Sequence, residues 1–268
     1  MCNMASFVIT RTKVLWSIRS DSHEDIIAMY HLRNDMHGDD FVRSELHPPD
    51  YDYRLPVDQW IYVTDQDSTP DWYDPRDAEI AVRAEMSRWC EVKIINDPKV
   101  KINIEDGMNR IILAGKVIQF GGECTMYGSS SNKQSGGACW MYGSSTNRQS
   151  GGDCTIHDSS SNKQSDGQCW MYESASNKQS GGQCTMYGSS TNEQSGGECY
   201  MRDSSSNKQS NGQCWMYGSA SNKQSGGICW MYYSSSNEQS GGFCSTYGPE
   251  CKLTKVNNLN LFNIWTRM

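Results

Sequence analysis

Long apolar runs are missing from this chain. No stretch approaches the ~20 residues that a helix needs to span a bilayer, so no membrane contact is expected. The opening "MCNMASFVITRTKVLWSIRS" lacks a basic segment followed by a clean apolar one, so a secretory signal is not expected either, and the default is a soluble cytoplasmic protein. Hydrophobic residues make up only 36% of the 268, low for an ordinary globular core. There is no CxxC pair for zinc, no G-x-S-x-G nucleophile elbow and no glycine-rich phosphate loop after a strand. No catalytic residue, metal or cofactor is therefore assigned. The reading is of a non-enzyme, with an activity in residues 5–95 left open.

Cysteine, by contrast, is plentiful at twelve residues. Nine of them, from Cys124 to Cys244, recur every fifteen residues, one to a repeat and none with a partner in its own repeat. If successive repeats stack, these side chains form one column, which suits buried reduced thiols better than cross-links. The net charge of −7 is also unevenly placed. Residues 1–123 carry 14 basic and 22 acidic side chains, and residues 124–243 carry 7 and 8. An acidic N-terminal part repels nucleic acid and anionic membrane, so neither is an expected partner.

A composition break near Phe120 separates two regions. In "SDSHEDIIAMYHLR" (20–33), capping residues and early acids precede a stripe of Ile26, Ile27 and Tyr30, which predicts a helix. In "DPRDAEIAVRAEMSRWCEV" (74–92), Asp74 caps, Pro75 opens, and Ala78, Val82, Met86 and Trp89 share a face. "SFVITRTKVLWSI", "DFVRSEL" and "WIYVTDQ" read as strands. Residues 1–99 are thus predicted to form a small acidic α+β domain. Within it, His23 and Glu24 read as capping and surface groups, and Cys90 as core. His31 and His37, six residues apart, do not share a helix face as zinc ligands would. Residues 100–123 read as an irregular solenoid cap, 124–243 as repeats and 244–268 as a C-terminal cap. In that last part, the Leu-Asn-Leu-Phe-Asn-Ile stretch could cover the final strand edge.

Numbered from its cysteine, each repeat has Met or Ile third, Asn ninth, Gln eleventh, Ser sixth and twelfth, and Gly fourteenth. The thirteenth is Gly, Asp166 or Asn211, residues that tolerate positive φ, which predicts a left-handed turn there. Turns near positions five to seven and at the end leave two short strands. The fold class is an α+β N-terminal domain followed by a β-solenoid, two short strands per 15-residue coil and eight full coils, each strand pairing with its copy about 4.8 Å along. The tenth position is Lys, Arg or Glu and must face out. Parity then turns Asn132, Gln134 and their copies inward, where stacked amides can bond to their own copies. Cys124 and Met126 line the interior of the other strand.

Parity also leaves an exposed aromatic strip roughly 35–40 Å long. Its second-position members are Trp140, Trp170, Tyr200, Trp215 and Trp230, and its fourth-position members are Tyr142, Tyr172, Tyr217 and Tyr232. Such a strip is not an ordinary monomer surface. These nine residues are the candidate binding site. A second copy, giving a homo-oligomer, or another protein is the expected partner. Rings that simply stack on one another to stiffen the sheet are the alternative, and a carbohydrate or nucleobase platform a third.

The tandem fifteen-residue pattern resembles short-period β-solenoids such as ice-nucleation, insect antifreeze and pentapeptide-repeat proteins. Tyr127-Gly128-Ser129 echoes the ice-nucleation repeat. Ice-binding members display Thr-x-Thr arrays, and the corresponding outward residues here are Ser131, Lys133 and Ser135. "TKVLWSIRSDSHEDIIAMYHLR", joined through "DWYDP" to Ser/Asn/Gln-rich repeats, is similar to uncharacterised bacterial and phage proteins of this layout. That resemblance implies a lineage more than an activity, and the specific function expected is a phage-encoded protein in the host cytoplasm that binds and inhibits a host or defence component. A structural or adhesive fibre protein and an ice-binding protein are the other functions carried forward.

Overall fold

The computed structural model describes residues 5–33 and 40–256. They form two units. One ends at Asp97 and takes in Gly107–Leu113, and the other holds Pro98–Asp106 and runs on from Ala114. The first is the predicted α+β region with Gly107–Leu113 of the expected solenoid cap added to it.

In this head, β1 (Ala5–Thr10), β2 (Val14–Leu15), β3 (Phe41–His47) and β4 (Ile61–Thr64) form an antiparallel sheet in the order β2-β1-β3-β4. Helix α1 (His23–Met29) starts where the Ser22 side chain accepts from the Asp25 amide. Its Ile26 and Ile27 join Val8, Leu15 and Phe41 in the core. Tyr30 does not belong to the buried stripe. The helix stops at Met29, and Tyr30 is exposed with its hydroxyl donating to the Trp16 carbonyl at 3.1 Å.

Helix α2 (Pro75–Lys93) behaves as its pattern requires. Asp74 accepts from the Arg76 and Asp77 amides, and Ala78, Val82, Met86 and Trp89 are buried. Trp60 sits edge-on between Tyr53 and Trp89, at 5.5 and 6.1 Å. At the helix end Lys93 is also buried, with its Nζ 3.1 Å from Asp21 Oδ1. Cys90 is half-buried, and burial pushes its thiol up to about 11.

Strands β5 (Ile94–Ile104) and β6 (Asn109–Gln119) lead into a parallel β-solenoid of about 11 turns with a fifteen-residue period. Each coil contributes a cysteine strand, the first being β7 (Glu123–Met126), and an amide strand, the first being β8 (Ser131–Gln134). Every strand pairs in parallel with its copy one coil away, Cys on Cys and Asn on Asn. Coil geometry outruns the eight repeats that can be recognised by their letters. The end of β6 already pairs in register with β8, Gln119 opposite Gln134. Beyond the last repeat, Phe243–Tyr247 and Lys252–Lys255 add another pair of strands. The Leu-Asn-Leu-Phe-Asn-Ile stretch lies outside the described residues.

The interior follows the predicted parity. Cysteine and methionine columns on one side meet asparagine and glutamine columns on the other, and all are buried through the eight repeats. The amides, however, do not bond to their own copies. Asn147 Nδ2 donates to Gln134 Oε1 of the preceding coil at 2.9 Å. Gln134 Nε2 donates to the Gly137 carbonyl of its own coil and the Asp153 carbonyl of the next, at 3.0 and 2.7 Å. Each glutamine therefore clasps a corner across two coils, and each asparagine clasps a glutamine.

The turn assignment also needs correction. Positive φ falls at the fifth and fourteenth positions, not the thirteenth. At the fourteenth, Gly197 has φ +72°, and an added Cβ would overlap the Gly182 carbonyl oxygen one coil back. At the fifth, four residues with side chains adopt φ of 54° to 59°: Asp158, Glu173, Asp203 and Tyr233. The acids have compensation. Asp158 and Asp203 accept the backbone N–H of Gly143 and Gly188, their fifth-position neighbours one coil back, and Glu173 accepts that of Asp158.

Candidate functional site

The outward side of the cysteine sheet carries two columns of flat groups. Along the fourth position, Tyr127, Tyr142, His157, Tyr172 and Tyr187 stack in sequence, with centroids 4.8–5.4 Å apart and planes within 17° of parallel. Arg202 then takes a ring's place, its guanidinium 5.7 Å from both Tyr187 and Tyr217. The stack resumes through Tyr217, Tyr232 and Tyr247. Each residue in this column is Tyr, His or Arg, and every one presents a planar π-system that can lie face to face with its neighbours.

The second-position column is broken. Tyr200, Trp215 and Trp230 stack at 4.7 Å. Trp140 and Trp170 do not join them, because the register places Thr125 and Thr155 beside the first and Thr155 and Thr185 beside the second. All nine candidate residues lie on one sheet face, and all nine are half-buried, not exposed. Each ring in the two stacks hides a face against its neighbour and shows an edge, while Trp140 and Trp170 lie beside threonines. Stacking gives these rings a structural role whatever else they meet.

The amide sheet presents different chemistry. Its tenth-position side chains begin with four cations on consecutive coils: Lys133, Arg148, Lys163 and Lys178. Glu193 pairs with Lys178 at 3.0 Å, which holds its carboxyl below the usual range, and Glu238 pairs with Lys223 at 3.4 Å. A trough of 990 Å³ runs beside this column from Thr146 to Thr254. Its lining has no aromatic residue, which sets it apart from a base-stacking groove for single-stranded nucleic acid.

The thiols lie buried between the sheets. Burial raises Cys139 and Cys154 well above the ordinary thiol range, so the reactive thiolate is suppressed. Cys139 Sγ donates to Met126 Sδ of the preceding coil at 3.5 Å, and the contact recurs along the rod. No disulfide forms among the described cysteines.

One cluster in the head escaped the sequence reading. His23 is not a surface cap. Its ring is buried, with Nε2 3.0 Å from the Ser44 carbonyl oxygen and Nδ1 3.3 Å from Asp65 Oδ2. Glu45 on β3 completes a group whose ligand atoms lie within 4.8 Å of one another. Burial, and then the charge of Asp65, pushes the Glu45 carboxyl above its usual range. These residues are 20 or more positions apart, so no local motif announced them.

No helix of the described residues is long and apolar enough to cross a membrane. Fold and surface together define a parallel β-solenoid of fifteen-residue coils behind a small α+β region. Comparison with known proteins returns no match: no family model fits the chain, and no curated protein or solved structure is similar to it.

Proposed function

We propose that the chain is a non-enzymatic binding protein whose rod self-associates through the aromatic face of its cysteine sheet. The observation that carries this reading is the alternation of bulk along the second-position column. Trp140 and Trp170 stand two coils apart, with Thr125, Thr155 and Thr185 on the intervening and flanking coils. A second copy displaced by one coil sets its tryptophans over these threonines. Rings from the two copies then alternate at one-coil spacing, the spacing at which Tyr200, Trp215 and Trp230 already stack. Covering the ring edges removes apolar area worth about 25 cal/mol per Å².

Sedimentation equilibrium tests the proposal on the wild type and on the combined Trp140→Ser, Trp170→Ser, Trp215→Ser and Trp230→Ser variant. A wild-type dimer or larger species and a folded monomeric variant are expected. A wild type that stays monomeric at its highest soluble concentration overturns self-association. If that monomer instead retains one protein from a host lysate through the same tryptophans, the inhibitor reading replaces it.

A further inference from the structure

We propose that His23, Glu45 and Asp65 hold a divalent transition-metal ion of the zinc class in the head. Ser22 caps α1 and so fixes where its first residue, His23, stands. The Ser44 carbonyl oxygen 3.0 Å from Nε2 can only accept, so Nε2 carries a proton, and a singly protonated ring then offers its Nδ1 lone pair to a ligand. A backbone carbonyl on the far ring nitrogen is the arrangement that orients metal-bound histidines. The Nδ1 to Asp65 Oδ2 separation of 3.3 Å also fits. Two ligands about 2.0 Å from one tetrahedral ion lie roughly 3.3 Å apart.

Glu45 is the second, independent observation. It is only 9% exposed, and its carboxylate lies within 4.8 Å of the other two ligand atoms. A buried carboxylate is ordinarily paired or bound to a metal. One imidazole and two carboxylates together balance the charge of a divalent cation. The donor set of one imidazole and two carboxylates suits zinc better than calcium or magnesium, which take oxygen ligands. Three protein ligands are one fewer than a closed structural zinc site uses, so water completes the set.

The test titrates the chelator-treated full chain with zinc chloride by calorimetry, and with cobalt chloride by visible absorption. One ion per chain is expected, with a cobalt spectrum typical of tetrahedral nitrogen and oxygen ligands. The melting temperature should rise with zinc in the wild type. Asp65→Asn alters an exposed side chain and should fold normally, while lowering the zinc affinity at least tenfold and cancelling that rise. Glu45→Gln should do the same. A thiolate-to-cobalt charge-transfer band, or zinc binding that persists in Asp65→Asn and disappears in Cys90→Ser or Cys251→Ser, overturns the proposal. So does equal or tighter binding of calcium, or no binding at all.

Discussion

In the head a buried lysine, Lys93, meets the Asp21 carboxylate at 3.1 Å, and Asp21 also accepts from Asn109 Nδ2 at 3.2 Å. In the rod, eight buried asparagines and nine buried glutamines line the interior, and each asparagine donates to the glutamine of the preceding coil. The head protects its polar groups by a particular pairing inside an apolar core. The rod does so by periodicity, since each asparagine donates to the glutamine of the preceding coil and each glutamine ties neighbouring coils together. A defect in the head should therefore be confined to one pair, while a defect in the rod strikes an interface that every coil shares.

The largest effect expected from a single substitution is in the head. Lys93→Met leaves the Asp21 carboxylate buried without its cation, which should cost about 4 kcal/mol. Chemical denaturation of the head's transition would report it. Adding Asp21→Leu to that variant should recover most of the loss, because the uncompensated charge is gone. A double variant as unstable as the single would show that packing, and not the ion pair, sets the cost.

Two glycines with nearly equal φ separate conformation from packing across the two regions. Gly107 in the head has φ +74° and nothing within 4 Å of an added Cβ. Gly197 in the rod has φ +72°, and there a Cβ would overlap the Gly182 carbonyl oxygen of the coil below. Gly107→Ala should cost only the backbone strain, about 1 kcal/mol. Gly197→Ala adds displaced coils to the same strain and should cost about 3 kcal/mol. Equal costs, read from denaturant midpoints, would mean that the coils have room to shift.

The parity of the rod was legible because it rests on steric and solvation rules that hold at every repeat. A charge at each tenth position must face water, and period two then places its neighbours. The left-handed position was misread for a related reason. Variation among Gly, Asp and Asn drew attention to the thirteenth residue, whereas the invariant fourteenth glycine carries both the positive φ and the coil contact. Gln119 was missed because the letters around it are not those of the repeat. It nevertheless donates to the Gly122 and Ala138 carbonyls and accepts from Asn132, as the later glutamines do for their own coils. The nine aromatic residues lie on the predicted face but are half-buried, seven of them by ring stacking, and parity says nothing of ring faces and edges. His23, Glu45 and Asp65 come from α1, β3 and the residue after β4, and only the folded head brings them together.

A further contrast lies inside the amide mesh itself. Gln194 uses its whole side chain, accepting from Asn207 at 3.0 Å and donating to the Gly197 and Gln213 carbonyls at 3.0 and 2.8 Å. Asn192 makes one amide bond, to Gln179 Oε1 at 3.1 Å, and a longer contact to Cys199 Sγ at 3.6 Å. Its Oδ1 is buried with no partner, as is that of every asparagine in the column. Gln194→Leu strands one donor and two acceptors in the interior and should cost about 3 kcal/mol. Asn192→Leu strands only Gln179 Oε1 and removes an oxygen that was already unsatisfied, so about 1 kcal/mol is expected. The order is the decisive result. An asparagine variant as damaging as the glutamine variant would mean that shape at the ninth position, and not the corner clasp at the eleventh, holds successive coils in register.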